Sequence, residues 1–107
     1  MNEMRRFGQV ARLKPDKADE YESLHAAVWP EVLSIITACN LRNYSIFRQG
    51  ELVFTYFEYI GLDFENDMRR MAADPVTQEW WKLTKPCFLG HVIDEYYMNM
   101  QEIFHCE

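Results

Sequence analysis

Polar and apolar positions alternate over residues 5–13, the two-residue period of a strand with one face turned inward. The period changes after Pro15. Proline suits the first helical position, and the acidic side chains of Asp16, Asp19 and Glu20 suit the positive end of a helix dipole. Tyr21, Leu24, Val28, Val32 and Ile35 then recur at spacings of three and four, which predicts a helical stretch over residues 15–39. Pro30 interrupts it. A residue before proline is pushed out of the helical region, so a kink or break is expected near Trp29.

Residues 43–48 and 52–60 are rich in aromatic and β-branched side chains, and Gln49-Gly50-Glu51 between them signals a hairpin. Tyr44, Ile46 and Arg48 should share one face, with Ser45 and Phe47 on the other. In the second strand Phe54 and Tyr56 oppose Phe57 and Tyr59. Both faces are therefore substantially apolar. Helices can cover one; a second subunit is the simplest cover for the other. Residues 63–71 read as a helix, Asp74-Pro75 starts another that carries Thr77 to Leu83, and Pro86 ends it. Residues 97–106 read as a last strand. The resulting order is β-α-β-β-α-β, an α+β ferredoxin-like pattern in one domain spanning residues 1–107. Two such sheets packed face to face make a dimeric α+β barrel.

Composition narrows what this domain can do. The 107 residues are 49% apolar and 15% aromatic, enough for a core without staples. The formal charge of −6 argues against nucleic-acid or anionic-membrane partners, which need basic patches. No run reaches the roughly 18 apolar residues of a membrane span, and the first residues lead into no long apolar stretch of a secretory signal. Cys39, Cys87 and Cys106 are odd in number, widely spaced and without a CxxC, so a reducing cytoplasm is expected, with each thiol a small buried or half-buried hydrophobe.

The candidate chemistry is a histidine among aromatics. On a helix His25 lies one turn after Tyr21, so their side chains are neighbours. Histidine exchanges protons near neutral pH. It can equally be a hydrogen-bonded residue flanking the core stripe. Trp80 and Trp81 point about 100° apart on a helix. Indole faces pack against the C–H faces of pyranoses and the N–H can bond a hydroxyl, but paired tryptophans also serve in cores and interfaces. Tyr44 offers a hydroxyl mid-strand, or plain sheet packing. His91 and His105-Cys106 lack metal-ligand spacing, and no glycine-rich phosphate loop or GxSxG occurs. These parts fit a small neutral polyol and a proton shuttle, with no metal or cofactor.

Five segments together resemble the L-rhamnose mutarotase family: Tyr21-Glu22-Ser23-Leu24-His25, Val28-Trp29-Pro30-Glu31-Val32, Asn43-Tyr44-Ser45-Ile46, Trp80-Trp81-Lys82 and Gln101-Glu102-Ile103-Phe104-His105. They follow in order along nearly the whole chain. The resemblance implies a dimeric ferredoxin-like barrel, without cofactor, that interconverts the anomers of a free 6-deoxy sugar. It implies His25 as the proton donor and Tyr21, Tyr44, Trp80 and Trp81 as sugar-binding positions. Residues 86–92 depart from the Asn-Pro-Asp-Asn-Ser-Pro stretch of the rhamnose enzymes. Pro86-Cys87, residues 56–61 and Asp74-Pro75-Val76-Thr77 look more like a branch associated with L-fucose. Two rivals use similar parts: a cofactor-free oxygenase on the same dimeric fold, and a sugar-binding module without activity.

Overall fold

The computed structural model describes residues 4–90 and 96–107. Of the departing segment, His91 and Val92 lie outside the described residues. In chain order the elements are β1 (Arg5–Arg12), α1 (Ala18–His25), α2 (Pro30–Ala38), β2 (Leu41–Gln49), β3 (Leu52–Tyr59), α3 (Phe64–Ala73), α4 (Pro75–Thr84), a short 3₁₀ turn (Lys85–Cys87) and β4 (Met98–Met100). The sheet runs β2-β3-β1-β4 with every neighbouring pair antiparallel. That is the expected ferredoxin-like arrangement, with each crossover built from two helices rather than one.

Local chemistry sets the helix ends. The first helix begins at Ala18, after a turn over residues 15–17, not at Pro15. The predicted break is real and wider than one residue. α1 ends at His25, and α2 starts with Pro30 at its first position behind an extended Trp29 (ψ 137°). The Asp63 carboxylate caps α3 by accepting from Asn66 N at 3.1 Å, and that of Asp74 caps α4 by accepting from Thr77 N at 2.8 Å.

On β3, Val53, Thr55, Phe57 and Tyr59 are buried while the alternate residues are only half-buried. The buried set faces the helices. Register places Phe7, Gln9 and Ala11 of β1 beside Phe57, Thr55 and Val53 on that inner face. The core there is divided in two. One cluster joins Ala11, Leu13, Ala18, Tyr21, Val53, Cys87 and Phe88; the other joins Leu41, Phe57 and Tyr59 with Phe7, Ile36, Phe64, Met68 and Met71 around them. The second cluster is fastened by Asp67, only 6% exposed. Its carboxylate accepts from Tyr59 Oη at 2.5 Å, Asn40 Nδ2 at 2.9 Å and Arg70 Nη1 at 2.7 Å. These donors, the Tyr59 hydroxyl foremost, hold the carboxyl below its ordinary range.

Two expectations fail at the C-terminus. The last strand covers Met98–Met100, not residues 97–106. β4 pairs Gly8 with Met100, and the Arg6 guanidinium reaches Glu102 Oε1 at 2.7 Å. Residues 101–107 form no strand and are exposed, Ile103 and Phe104 among them. Cys106 is exposed with this tail, unlike the buried Cys39 and Cys87, and all three are free thiols.

The outer sheet face bears Val10, Phe54, Phe47 and Met98 at neighbouring register positions. Phe47 is 63% and Met98 57% exposed. The two-sided apolarity read from the hairpin is therefore present.

Candidate functional site

A cleft of about 930 Å³ lies where the two apolar clusters leave a gap between helices and sheet. Its size falls within the range of small-molecule sites. The helical stripe supplies one wall through Val28, Val32 and Ile35, and β2 supplies another through Leu41, Tyr44 and Ile46. All five residues singled out in the sequence line it: Tyr21, His25, Tyr44, Trp80 and Trp81.

His25 is held from two sides. One turn of helix brings its Nδ1 to 2.8 Å from the Tyr21 carbonyl oxygen. A carbonyl only accepts, so Nδ1 carries the proton and donates. The lone pair of the neutral ring is therefore on Nε2, which has no protein partner among the described residues. Packing fixes the ring plane. The imidazole lies 4.2 Å from the Tyr21 ring centroid at 37°, and Trp80 meets it edge-on at 5.4 Å and 74°.

Trp80 is 6% exposed and also meets Trp29 edge-on at 5.2 Å. Trp29, at the helix break, thus reaches His25 through Trp80. Trp81 is half-buried, with the Lys85 ammonium 4.7 Å above its ring. Adjacent positions on α4 give the pair different surroundings, as their helical spacing requires.

Tyr44 owes its direction to a β-bulge. Leu41 pairs with Tyr59 on the inner face, and strict alternation from there would turn Tyr44 outward. The register shifts between Arg42 and Ser45, and Asn43 adopts a left-handed φ of 52°. The inserted residue reverses the alternation, so Tyr44, Ile46 and Arg48 share the inner face. Tyr44 stacks on Phe57 at 5.4 Å and 10°. Asn43 is steadied by donating from Nδ2 to Glu58 Oε1 at 2.6 Å.

The phenols are kept protonated. Burial, and then the neighbouring Tyr97, drives the Tyr21 hydroxyl far above the ordinary phenol range. Burial also raises Tyr44, although 40% of the residue remains exposed. Tyr97 Oη stands 2.8 Å from Tyr21 Oη. The sequence pattern marks Tyr97 only as the start of a strand. The consecutive aromatics Tyr96-Tyr97 were a signal, but their meeting with α1 is set by packing 76 residues away in sequence. Among the described residues no carboxylate lines the cleft. The site thus joins an imidazole with an open nitrogen, protonated phenols and indole faces.

Comparison with known proteins gives the family of the chain. The L-rhamnose mutarotase family model matches residues 6–106. The chain belongs to the L-rhamnose mutarotase family. The L-rhamnose mutarotase of Oceanobacillus iheyensis is 33% identical over 105 residues, covering 97% of this chain and 100% of that one. The L-rhamnose mutarotase of Bacillus subtilis is 34% identical over 83 residues, covering 78% of this chain and 79% of its own. Among solved structures, the L-rhamnose mutarotase of Formosa agariphila superposes with a TM-score of 0.75 at 18% identity, over 96% of this chain and 99% of that one. Tetracenomycin F2 cyclase of Streptomyces glaucescens superposes with a TM-score of 0.67 at 15% identity, over 96% and 97% of the two chains. These structural likenesses show the shared fold. The family is given by the sequence match, and it is a family of isomerases.

Proposed function

We propose that this protein interconverts the α and β anomers of a free 6-deoxy-L-hexose, L-rhamnose or L-fucose, with His25 as the proton-transfer group. The observation that carries this reading is the Nδ1 contact of His25 to the Tyr21 carbonyl, which leaves Nε2 open on a residue that lines an aromatic cleft. Its relatives' names supply the reaction.

Mutarotation breaks the C1–O5 bond of the ring. As imidazolium, His25 donates from Nε2 to O5 while the anomeric hydroxyl loses its proton and C1 becomes an aldehyde. Rotation about C1–C2 presents the other face. On reclosure O5 returns its proton to Nε2 and the carbonyl oxygen takes one up. Phenols held protonated are poor bases, so Tyr21 and Tyr44 orient the sugar by hydrogen bonds. The anomeric proton exchanges with water in the open cleft. Trp80 and Trp81 supply apolar faces for the C–H side of the ring, and the apolar wall of Val28, Val32 and Ile35 suits the 6-methyl group. Nothing in these steps calls for a cofactor. The substrate is a free monosaccharide, and nucleic acid, membrane and an extracellular setting play no part in the reading.

Saturation-transfer NMR of anomer exchange tests the reaction, run in parallel on L-rhamnose, L-fucose and their common isomers. Acceleration with one 6-deoxy sugar identifies the substrate. Binding without acceleration would replace the enzyme by a sugar-binding module.

The bulge gives a separate test of Tyr44. Valine tolerates a left-handed backbone poorly, so Asn43→Val should cost about 1–2 kcal/mol. By turning Tyr44 from the cleft it should also raise KM. Denaturant titration and the exchange assay measure the two effects, and an unchanged KM would remove Tyr44 from substrate binding.

The outer sheet face fits a second copy of the chain as its cover. Its apolar register positions and the exposure of Phe47 support a homodimer. Phe47→Glu should place charge in that interface and yield monomers by light scattering. A wild-type monomer at micromolar concentration would exclude this dimer.

A further inference from the structure

The aromatic wall of the cleft contains a phenol pair whose joint chemistry exceeds that of either member. Tyr97 stands just before β4, where the chain joins the sheet edge beside β1. Its ring meets Phe88 edge-on at 5.1 Å and 65°, and Phe88 meets Tyr21 in the same way at 5.2 Å and 71°. Phe88 thus braces both phenols, and their hydroxyl oxygens stand 2.8 Å apart. Both residues line the cleft.

Each phenol has one proton to donate and an oxygen that can accept. One proton lies between the two oxygens. The pair therefore shows the cleft one remaining O–H donor and one remaining acceptor, side by side. Burial raises both phenols, so both protons stay in place near neutral pH. The contact with Tyr97 adds to the rise of Tyr21, while contacts with Thr55 and then Tyr21 oppose the rise of Tyr97. Either oxygen can be the donor within the pair, so one phenol keeps a proton to give and the other keeps an oxygen that can accept.

We propose that Tyr21 and Tyr97 together recognise a vicinal diol of the sugar: one phenol oxygen accepts from one hydroxyl, and the other phenol donates to the oxygen next to it. Neighbouring equatorial or gauche hydroxyls on a pyranose span a separation like that of the two phenol oxygens. The four groups then form a closed circuit in which every donor meets an acceptor, and such circuits strengthen each member. No proton is transferred through it; that task stays with His25. Tyr97 is thereby a substrate-binding and specificity residue. The inference rests on the mutarotase reading above.

The test combines Tyr97→Phe, which keeps the ring against Phe88 and removes only the hydroxyl, with sugars lacking one hydroxyl. Exchange is measured by NMR on the accepted 6-deoxy sugar and on its 2-, 3- and 4-deoxy analogues. Tyr97→Phe should lower kcat/KM roughly 10- to 100-fold, mainly through KM. One analogue should cost the wild type a similar factor yet cost Tyr97→Phe almost nothing more. A merely structural tyrosine would not erase the penalty of one chosen hydroxyl. Wild-type kcat/KM in Tyr97→Phe, or unchanged analogue penalties in the variant, would overturn the proposal. Thermal melting controls for folding. If Tyr97→Phe melts early, Tyr21→Phe goes through the same series and must show the same selective loss. No acceleration by the wild type on any of these sugars would overturn the mutarotase reading itself, a result distinct from the others.

Discussion

Replacing His25 with alanine is expected to return anomer exchange to the uncatalysed rate, a loss of roughly 10²–10⁴-fold, the usual contribution of positioned acid–base groups. The fold should survive. His25 is the last residue of α1, half-buried, and its one hydrogen bond among the described residues goes to the backbone carbonyl of its own helix. Removing the ring leaves a space at the cleft wall that water can fill. The structure also separates proton transfer from bulk. His25→Gln can fill part of that space and still donate a hydrogen bond, but an amide cannot exchange its proton as imidazole does. It should therefore be nearly as inactive as the alanine variant while binding sugar more tightly. Saturation-transfer NMR reads the rate, and quenching of tryptophan fluorescence reads binding. Full exchange in either variant would assign the proton transfer elsewhere.

The scaffold for that histidine was legible because it depends on local patterns. A two-residue period marked β1 and the hairpin, and a three-and-four spacing marked the helices. Pro30 marked the break that ends α1 at His25, and Asp74-Pro75 marked the start of the helix bearing Trp80 and Trp81. What stayed hidden depends on single backbone choices or distant pairing. The bulge at Asn43 turns on one residue adopting φ 52°, and asparagine tolerates that conformation without requiring it. The sequence reading of Tyr44's face agreed with the structure because it counted alternation within residues 43–48. Counted from Leu41, the same rule would have put Tyr44 outside. β4 pairs with Gly8 to Val10, a partner about ninety residues away in sequence, and local patterns carry no signal of its extent. Tyr97 joined the site for the same reason. Residue types named the five candidate positions; long-range packing added the sixth.

The two tryptophans should separate in a way that only the three-dimensional arrangement predicts. Trp80 is almost fully buried and touches both His25 and Trp29, so it links the end of α1, the start of α2 and the body of α4. Trp80→Ala should cost about 3–5 kcal/mol, the range for truncating a buried large aromatic. It should also lower kcat, because the edge that fixes the imidazole plane is gone. Trp81 is half-buried, with Lys85 over one face, and its neighbours do not include the histidine ring. Trp81→Ala should cost less than about 1.5 kcal/mol, within the ordinary range for a partly exposed site, and raise KM through loss of its stacking face. Urea titration and exchange kinetics on the two variants give the four values. A kcat loss in Trp81→Ala with kcat intact in Trp80→Ala would reverse the roles and require His25 to be oriented from α1 alone. The expected pattern instead assigns one indole to holding the proton donor and the other to holding the sugar, a division made by the 100° turn between adjacent residues on α4.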